Sequence, residues 1–349
     1  GVRPALVYSG AVAGESRGAH AMSPPVARSD DLAWLRDDER EAPEVLRHLE
    51  AENAYTAAMT AAWAPDVEAL YQEFRSRMKE TDAEAPYRHG AFMYYSATVE
   101  GEAYPRHCRR LAGVADAREE IVLDENAVAA GNKMCDVHAV EVSPDHSLVA
   151  YAVDFSGSEE YDVMFKATST RGDRAVPTDV LHGVASGVEW GADCDSVYYQ
   201  TMDDTHRPYR VYRHVMGTPQ EEDVLLYEEA DERFWVEDMR KTRSGDFIFV
   251  VSASKVTSEA VMVPLTPHAV QLLQASHPDV TVGAAIMVQP RRDDVLYHVN
   301  HFRGGTWWWW WVLATLHACA QRHAHPHATR LTCVCLRGHA LRLQTVWTA

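Results

Sequence analysis

After Asp294 the sequence contains no aspartate or glutamate, and after Lys255 it contains no lysine. The acids are therefore concentrated: residues 1–304 hold all 51 of them against 29 of the 33 Lys and Arg, in a chain of formal net charge -18. Such an excess excludes a charge-driven grip on nucleic-acid phosphates and favours neutral or cationic partners. Cysteine is sparse and scattered, at Cys108, Cys135, Cys194, Cys319, Cys333 and Cys335. No disulfide framework is legible, which fits thiols in a reducing, cytoplasmic compartment. Long hydrophobic runs are missing too. Thr306 to Ala320 is apolar but too short to span a bilayer and carries His317, so no membrane segment is expected. Residues 1–22 break their apolar residues with Pro, Gly and Ser, which excludes a signal peptide and predicts an unstructured leader over 1–23. With Glu15 as its single acid, that leader is also compatible with organelle targeting.

What is present is a repeated hairpin. Val140 and Val142 alternate with Glu141 and Ser143, Pro144-Asp145-His146 breaks the run, and Leu148 to Val153 resumes it. The same pattern returns around Asp193, Gly245 and Arg292, at spacings of 48, 52 and 47 residues, with a weaker copy at His89-Gly90. Periods in the forties with several strands per unit mark propeller blades. The chain is expected to be mainly β, an incomplete β-propeller of about four to five blades over 83–304. Ahead of it, residues 24–82 read as a helical segment. Pro43 opens one amphipathic helix and Pro65 a second, whose Val67, Leu70, Tyr71, Phe74 and Met78 fall on one stripe. Those stripes need a surface to cover them.

Past Gly304 the composition changes to five consecutive tryptophans, Trp307 to Trp311, and then a His, Cys and Arg mixture. Residues 305–349 lack alternation and are expected to be a disordered, non-homologous tail. His323, His325 and His327 near Cys333 and Cys335 offer metal-binding side chains without a second well-spaced pair, so no metal or other cofactor is expected. Gly14-Glu15-Ser16-Arg17-Gly18 matches G-x-S-x-G, but a nucleophile elbow needs a strand before it and a helix after it, and Pro24-Pro25 follows here. No catalytic residue is assigned. For contacts at a propeller mouth, Glu159, Glu160 and Tyr161 could meet a partner domain or a basic peptide, against the reading of a solvated acidic turn. Arg207 and Arg210 could clamp a carboxylate, against pairing with nearby acids such as Asp203 and Asp204.

Several stretches, in order and spacing, carry a family resemblance: Trp34-Leu35-Arg36-Asp37-Asp38, Ala51 to Thr56, Tyr104 to Arg110, Glu141 to Asp145, Arg207 to His214, Asp231-Glu232-Arg233-Phe234 with Thr242 to Gly245, and Thr257-Ser258-Glu259. Between Pro24 and Gly304 the chain resembles the N-terminal half of the oligopeptidase B enzymes, in the prolyl oligopeptidase family of serine peptidases. That resemblance implies a seven-bladed propeller gating an α/β-hydrolase domain, embraced by N-terminal helices, with cleavage after Arg or Lys. The hydrolase domain is absent from this sequence, and the resemblance ends partway through the propeller. The expectation is therefore a truncated, inactive portion of such a peptidase, with short basic peptides and the missing hydrolase domain as partners. Two other readings stand beside it: a non-catalytic propeller that binds protein, and a metal-binding tail on a β scaffold.

Overall fold

The computed structural model describes residues 3–15, 17, 21–168, 176–302, 330–336 and 339–347. The chain divides into two units, Gly1–Asp82 and Ala83–Ala349.

In the first unit, β1 (Ala5–Ser9) and β2 (Val26–Asp30) form an antiparallel hairpin, so a strand stands where the sequence predicted an unstructured leader. Backbone pairing, which composition does not report, supplies its order. Ser16 and Gly18 of the elbow-like motif lie outside the described residues. Two helices follow, α1 (Pro43–Thr60) and α2 (Ala64–Arg77), each with proline in its first turn. Trp34 is the local anchor. Its ring lies 5.2 Å from that of His48 and beneath the Arg3 guanidinium, which also pairs with Glu44. Along α1 and α2 only Val45 is buried. Val67, Leu70, Tyr71 and Phe74 of the expected stripe, and Met78 just beyond it, are all exposed.

The second unit is built of blades. The first comprises β4 (Tyr87–His89), β5 (Phe92–Thr98), β6 (Arg106–Leu111) and β7 (Glu120–Asp124), with β3 (Asp82–Ala83) on the free side of β5. A short helix, α3 (Glu125–Ala129), capped by the Asp124 side chain, leads out of it. The second blade has β8 (Asp136–Val142), β9 (Leu148–Asp154) and β10 (Tyr161–Ala167). Next comes β11 (Leu181–Trp190), which belongs to two blades. Its first residues pair with β10, and Val188–Trp190 pair with β12 (Ser196–Met202), with a register shift between. With β13 (Pro208–Val215) and β14 (Val224–Glu228), the second and third blades make one continuous seven-stranded sheet. The fourth blade is β15 (Trp235–Lys241), β16 (Phe247–Ala253), β17 (Ser258–Pro264) and β18 (Ile286–Gln289), with α4 (Pro267–Leu273) inserted before its last strand.

A further sheet begins with β19 (Val295–Phe302), which pairs with β21 (His339–Trp347), itself paired with β20 (Arg330–Leu336). Two strands thus occupy part of the segment expected to be disordered. The Trp run and His323, His325 and His327 lie outside the described residues.

The cores are the seams between blades. Leu148, Val163, Leu181, Trp190 and Tyr199 fill the second-to-third seam. Val211, Val236, Ile248 and Val261 fill the third-to-fourth, and Phe247, Phe249, Leu273 and Val299 hold β19 to the fourth. The first-to-second seam is much poorer. Among the described residues its buried apolar cluster is Tyr94, Val122 and Val149.

Candidate functional site

Each blade begins with its innermost strand, and these strands run in the same sense. Their trailing ends therefore gather polar side chains at one end of the unit. Glu141 stands one residue before the end of β8, Glu189 one before the end of β11, and Lys241 ends β15. Lys241 lies with its Nζ 3.4 Å from Glu189 and donates to the Trp190 carbonyl at 3.1 Å, while its main-chain N–H donates to Glu189 at 2.8 Å. The indole Nε1 of Trp190 donates to the Glu141 carbonyl at 2.8 Å. These bonds stitch three consecutive innermost strands together. From β4, exposed Tyr87 stands within electrostatic reach of Glu141, and exposed His89 within reach of Lys241.

Glu141 is half-buried, and its carboxyl makes no hydrogen bond among the described residues. Burial, followed by the Glu189 charge, pushes its pKa up to about 7, with Lys241 opposing. Lys241 thus pairs with Glu189 and acts on Glu141 only at a distance. The arrangement can accept an ammonium or guanidinium group and repels anions. Among the described residues no group of three or more His, Cys, Asp or Glu could hold a metal ion.

The sequence-predicted residues lie elsewhere, toward the leading ends of the innermost strands. Glu159 (φ 61°) and Glu160 are exposed in the β9–β10 turn, where Asp154 accepts the Glu159 N–H at 2.8 Å. Tyr161 is buried and donates to Asp136 at 2.9 Å; burial and that bond push its phenol up to about 12. Arg207 binds the Asp203 carboxylate at 2.8 Å and donates to the Phe234 carbonyl at 2.8 Å, clasping the third blade to the fourth. Arg210 pairs with Glu228 at 3.2 Å and lies over the Tyr209 ring. Glu159 and Glu160 remain open to solvent, whereas Tyr161, Arg207 and Arg210 are engaged within the blades.

Sequence reasoning missed the most concentrated charge cluster at that end. The Arg291 guanidinium sits 3.9 Å over the Phe234 ring and pairs with both Glu229 and Glu259, which are buried. Tyr227 Oη lies 3.0 Å from Glu229 and 2.9 Å from Glu259, and Ser252 donates to Glu229. Burial opposes ionisation of Glu259, but the bonds from Arg291 and Tyr227 hold its carboxyl below the usual range.

Against known families, residues 12–310 match the prolyl oligopeptidase N-terminal beta-propeller domain. The chain belongs to the prolyl oligopeptidase family. It is 36% identical over 295 residues to dipeptidyl aminopeptidase BI of Pseudoxanthomonas mexicana, covering 80% of this chain and 38% of that protein. Among solved structures it is similar to oligopeptidase B from Leishmania major, with TM-score 0.76 and 36% identity over 87% of this chain and 40% of that one. Oligopeptidase B from Trypanosoma brucei, with covalently bound antipain, gives TM-score 0.74 and 38% identity over 86% and 40%. The chain thus spans about two fifths of the length of these relatives.

Proposed function

We propose that this chain supplies the substrate-gating propeller of a serine-type endopeptidase of the oligopeptidase B kind, which cleaves short peptides after Arg or Lys. The observation that carries the reading is the similarity to two oligopeptidase B structures across 86–87% of the chain. The carboxylates at the trailing ends of the innermost strands support it physically, because Glu141 and Glu189 outnumber Lys241 there. An acidic surface draws basic peptides toward it. Acyl-enzyme chemistry belongs in this reading to a hydrolase domain, the expected partner, and no residue of the present sequence is assigned to the triad. The buried free thiols of Cys108 and Cys135 are in keeping with a reducing cytoplasm.

Calorimetric titration with a short arginine peptide and its citrulline counterpart, equal in shape but uncharged, tests the propeller's part. The arginine peptide should bind at least about tenfold tighter at low salt and lose that advantage near 0.5 M salt, where charges more than a few ångströms apart are screened. Equal affinities for the two peptides at low salt would overturn the charge-selective reading.

A further inference from the structure

The first-to-second seam holds the smallest of the four apolar clusters and, beside it, a chain of polar contacts. The turn after β8 carries His146 in the left-handed region (φ 63°) and inserts its ring into the first blade. There it meets Phe92 at 5.3 Å, Tyr94 at 6.0 Å and His89 at 4.9 Å between ring centroids. Gly90 faces the ring closely enough that a Cβ would lie 2.4 Å from Nε2. Arg109, only 3% exposed, stacks 4.2 Å over Phe92 and donates from Nη1 to the His146 carbonyl at 2.7 Å. The same nitrogen lies 3.4 Å from Tyr94 Oη, which in turn is 3.0 Å from His146 Nδ1.

The direction of that relay follows from its first member. A guanidinium only donates, so the tyrosine oxygen accepts from Arg109 and its own hydrogen goes to Nδ1. This satisfies both the tyrosine hydroxyl and Nδ1 while Nδ1 is unprotonated. Adding a proton turns Nδ1 into a donor, strands the tyrosine hydrogen, and places a second cation beside Arg109.

We propose that the seam between the first and second blades is an acid-labile joint keyed by His146. The groups facing the ring all bear on its titration. From β4 and its turn come His89 and, through its bond to the Gly90 carbonyl, Arg88. From β5 comes Tyr94, and from β6 Arg109, whose charge is answered by Glu120 of β7 at 2.9 Å. Asp145 in the same turn is the nearest opposing acid, and Lys241 of β15 acts on His89. Burial, then His89 and Arg109, lower the His146 pKa, with Asp145 pulling the other way; partial burial and Lys241 lower that of His89. A histidine depressed in the folded state contributes stability that is complete above its unfolded value of about 6.5 and is lost as pH falls through the folded value. The other seams are filled mainly by Leu, Val, Ile, Phe and Trp, and the one between the fourth blade and β19 also holds His301, its ring 4.8 Å from that of Phe247.

Hydrogen–deuterium exchange of the full chain at pH 7.5 and pH 5.5, corrected for intrinsic exchange rates, tests this. Residues 87–111 and 143–148 should lose protection severalfold at pH 5.5, with about tenfold the ceiling for one histidine whose ordinary pKa is about 6.5. Residues 247–263 should change little. His146→Asn keeps a residue that tolerates positive φ but does not titrate, and should remove most of the acid effect. His89→Gln, outside the strained turn, should reduce it. The inference is overturned if the seam is equally protected at both pH values. It also fails if residues 247–263 lose protection in step with the seam, or if both variants keep the full pH dependence. Should His146→Asn already expose the seam at pH 7.5, His89→Gln decides alone.

Discussion

The Trp190 indole donates to the Glu141 carbonyl at 2.8 Å, so the largest side chain of the second-to-third seam also fixes the strand end that carries the unpaired carboxyl. Removing the side chain of Trp190 would open a core cavity and release Glu141 together. Trp190→Ala should cost about 3–5 kcal/mol of stability in denaturant titration, the usual range for a buried tryptophan. It should also lower the Glu141 pKa toward its ordinary range, measurable by carboxyl-region NMR titration. An unchanged Glu141 titration in a folded Trp190→Ala protein would contradict the link.

Glu141 itself gives a prediction with a definite sign. Its folded pKa, about 7, lies above its ordinary 4.5, so the folded state holds the proton more tightly. The contribution of this group to stability is therefore full below pH 4.5 and declines as pH rises through 7. Glu141→Gln, which fixes the neutral form, should stabilise the chain at pH 8 by on the order of 1–3 kcal/mol, discounted for partial exposure, and by about a quarter of that near pH 5. Thermal melts of both proteins at the two pH values measure this.

The Arg291 cluster should behave as a buried ion triad. Arg291→Ala leaves Glu229 and Glu259 buried without their cation, and such a loss costs about 3–5 kcal/mol. Replacing all three by Met and Leu should recover much of that. Urea titrations of the single and triple variants decide it; equal losses in both would count against a charge origin.

Fluorophosphonate labelling should modify no serine of the isolated chain. Among the described residues no serine stands at a strand-to-helix elbow, the geometry an activated nucleophile needs. One equivalent of stable label on any serine would refute this.

The exposed stripe Val67, Leu70, Tyr71, Phe74 and Met78 should bind a hydrophobic dye in the isolated chain. Leu70→Lys with Phe74→Lys should reduce dye fluorescence severalfold and leave the melting of the blades unchanged. A fall in melting temperature instead would show that the stripe is part of the packed interior.

The blades were legible because their alternation is local. Each β-rich run and its Pro-Asp, Asp or Gly turn lies within about fifteen residues, the scale on which periodicity operates. The helices were legible for the same reason. The polar clusters were not, since Glu141, Glu189 and Lys241 are about fifty residues apart and meet only when successive blades stack. Phe234 and Glu259 stood in stretches that carried the family resemblance, but nothing in the sequence tied them to Arg291, which sits in a Pro-Arg-Arg-Asp-Asp turn. Arg207 could be read both ways from sequence; its bonds to Asp203 and Phe234 engage it within the blades. The leader hairpin and the β19–β21 pairing were missed because hydrogen bonds between distant backbones leave little trace in composition.

The shared strand β11 has a mechanical meaning. Elsewhere the chain leaves one blade and starts the next through a separate connector, as at the exposed residues 130–134, where extra length can be absorbed without disturbing a ladder. Between the second and third blades there is no slack. Leu181–Trp190 is the rim of one and the axle side of the other, so a displacement of the second blade's edge is delivered directly to the third blade's centre. A designer seeking to split, permute or insert into this protein would find the 130–134 connector forgiving and Val184–Val188 the place where one added residue shifts two blades at once.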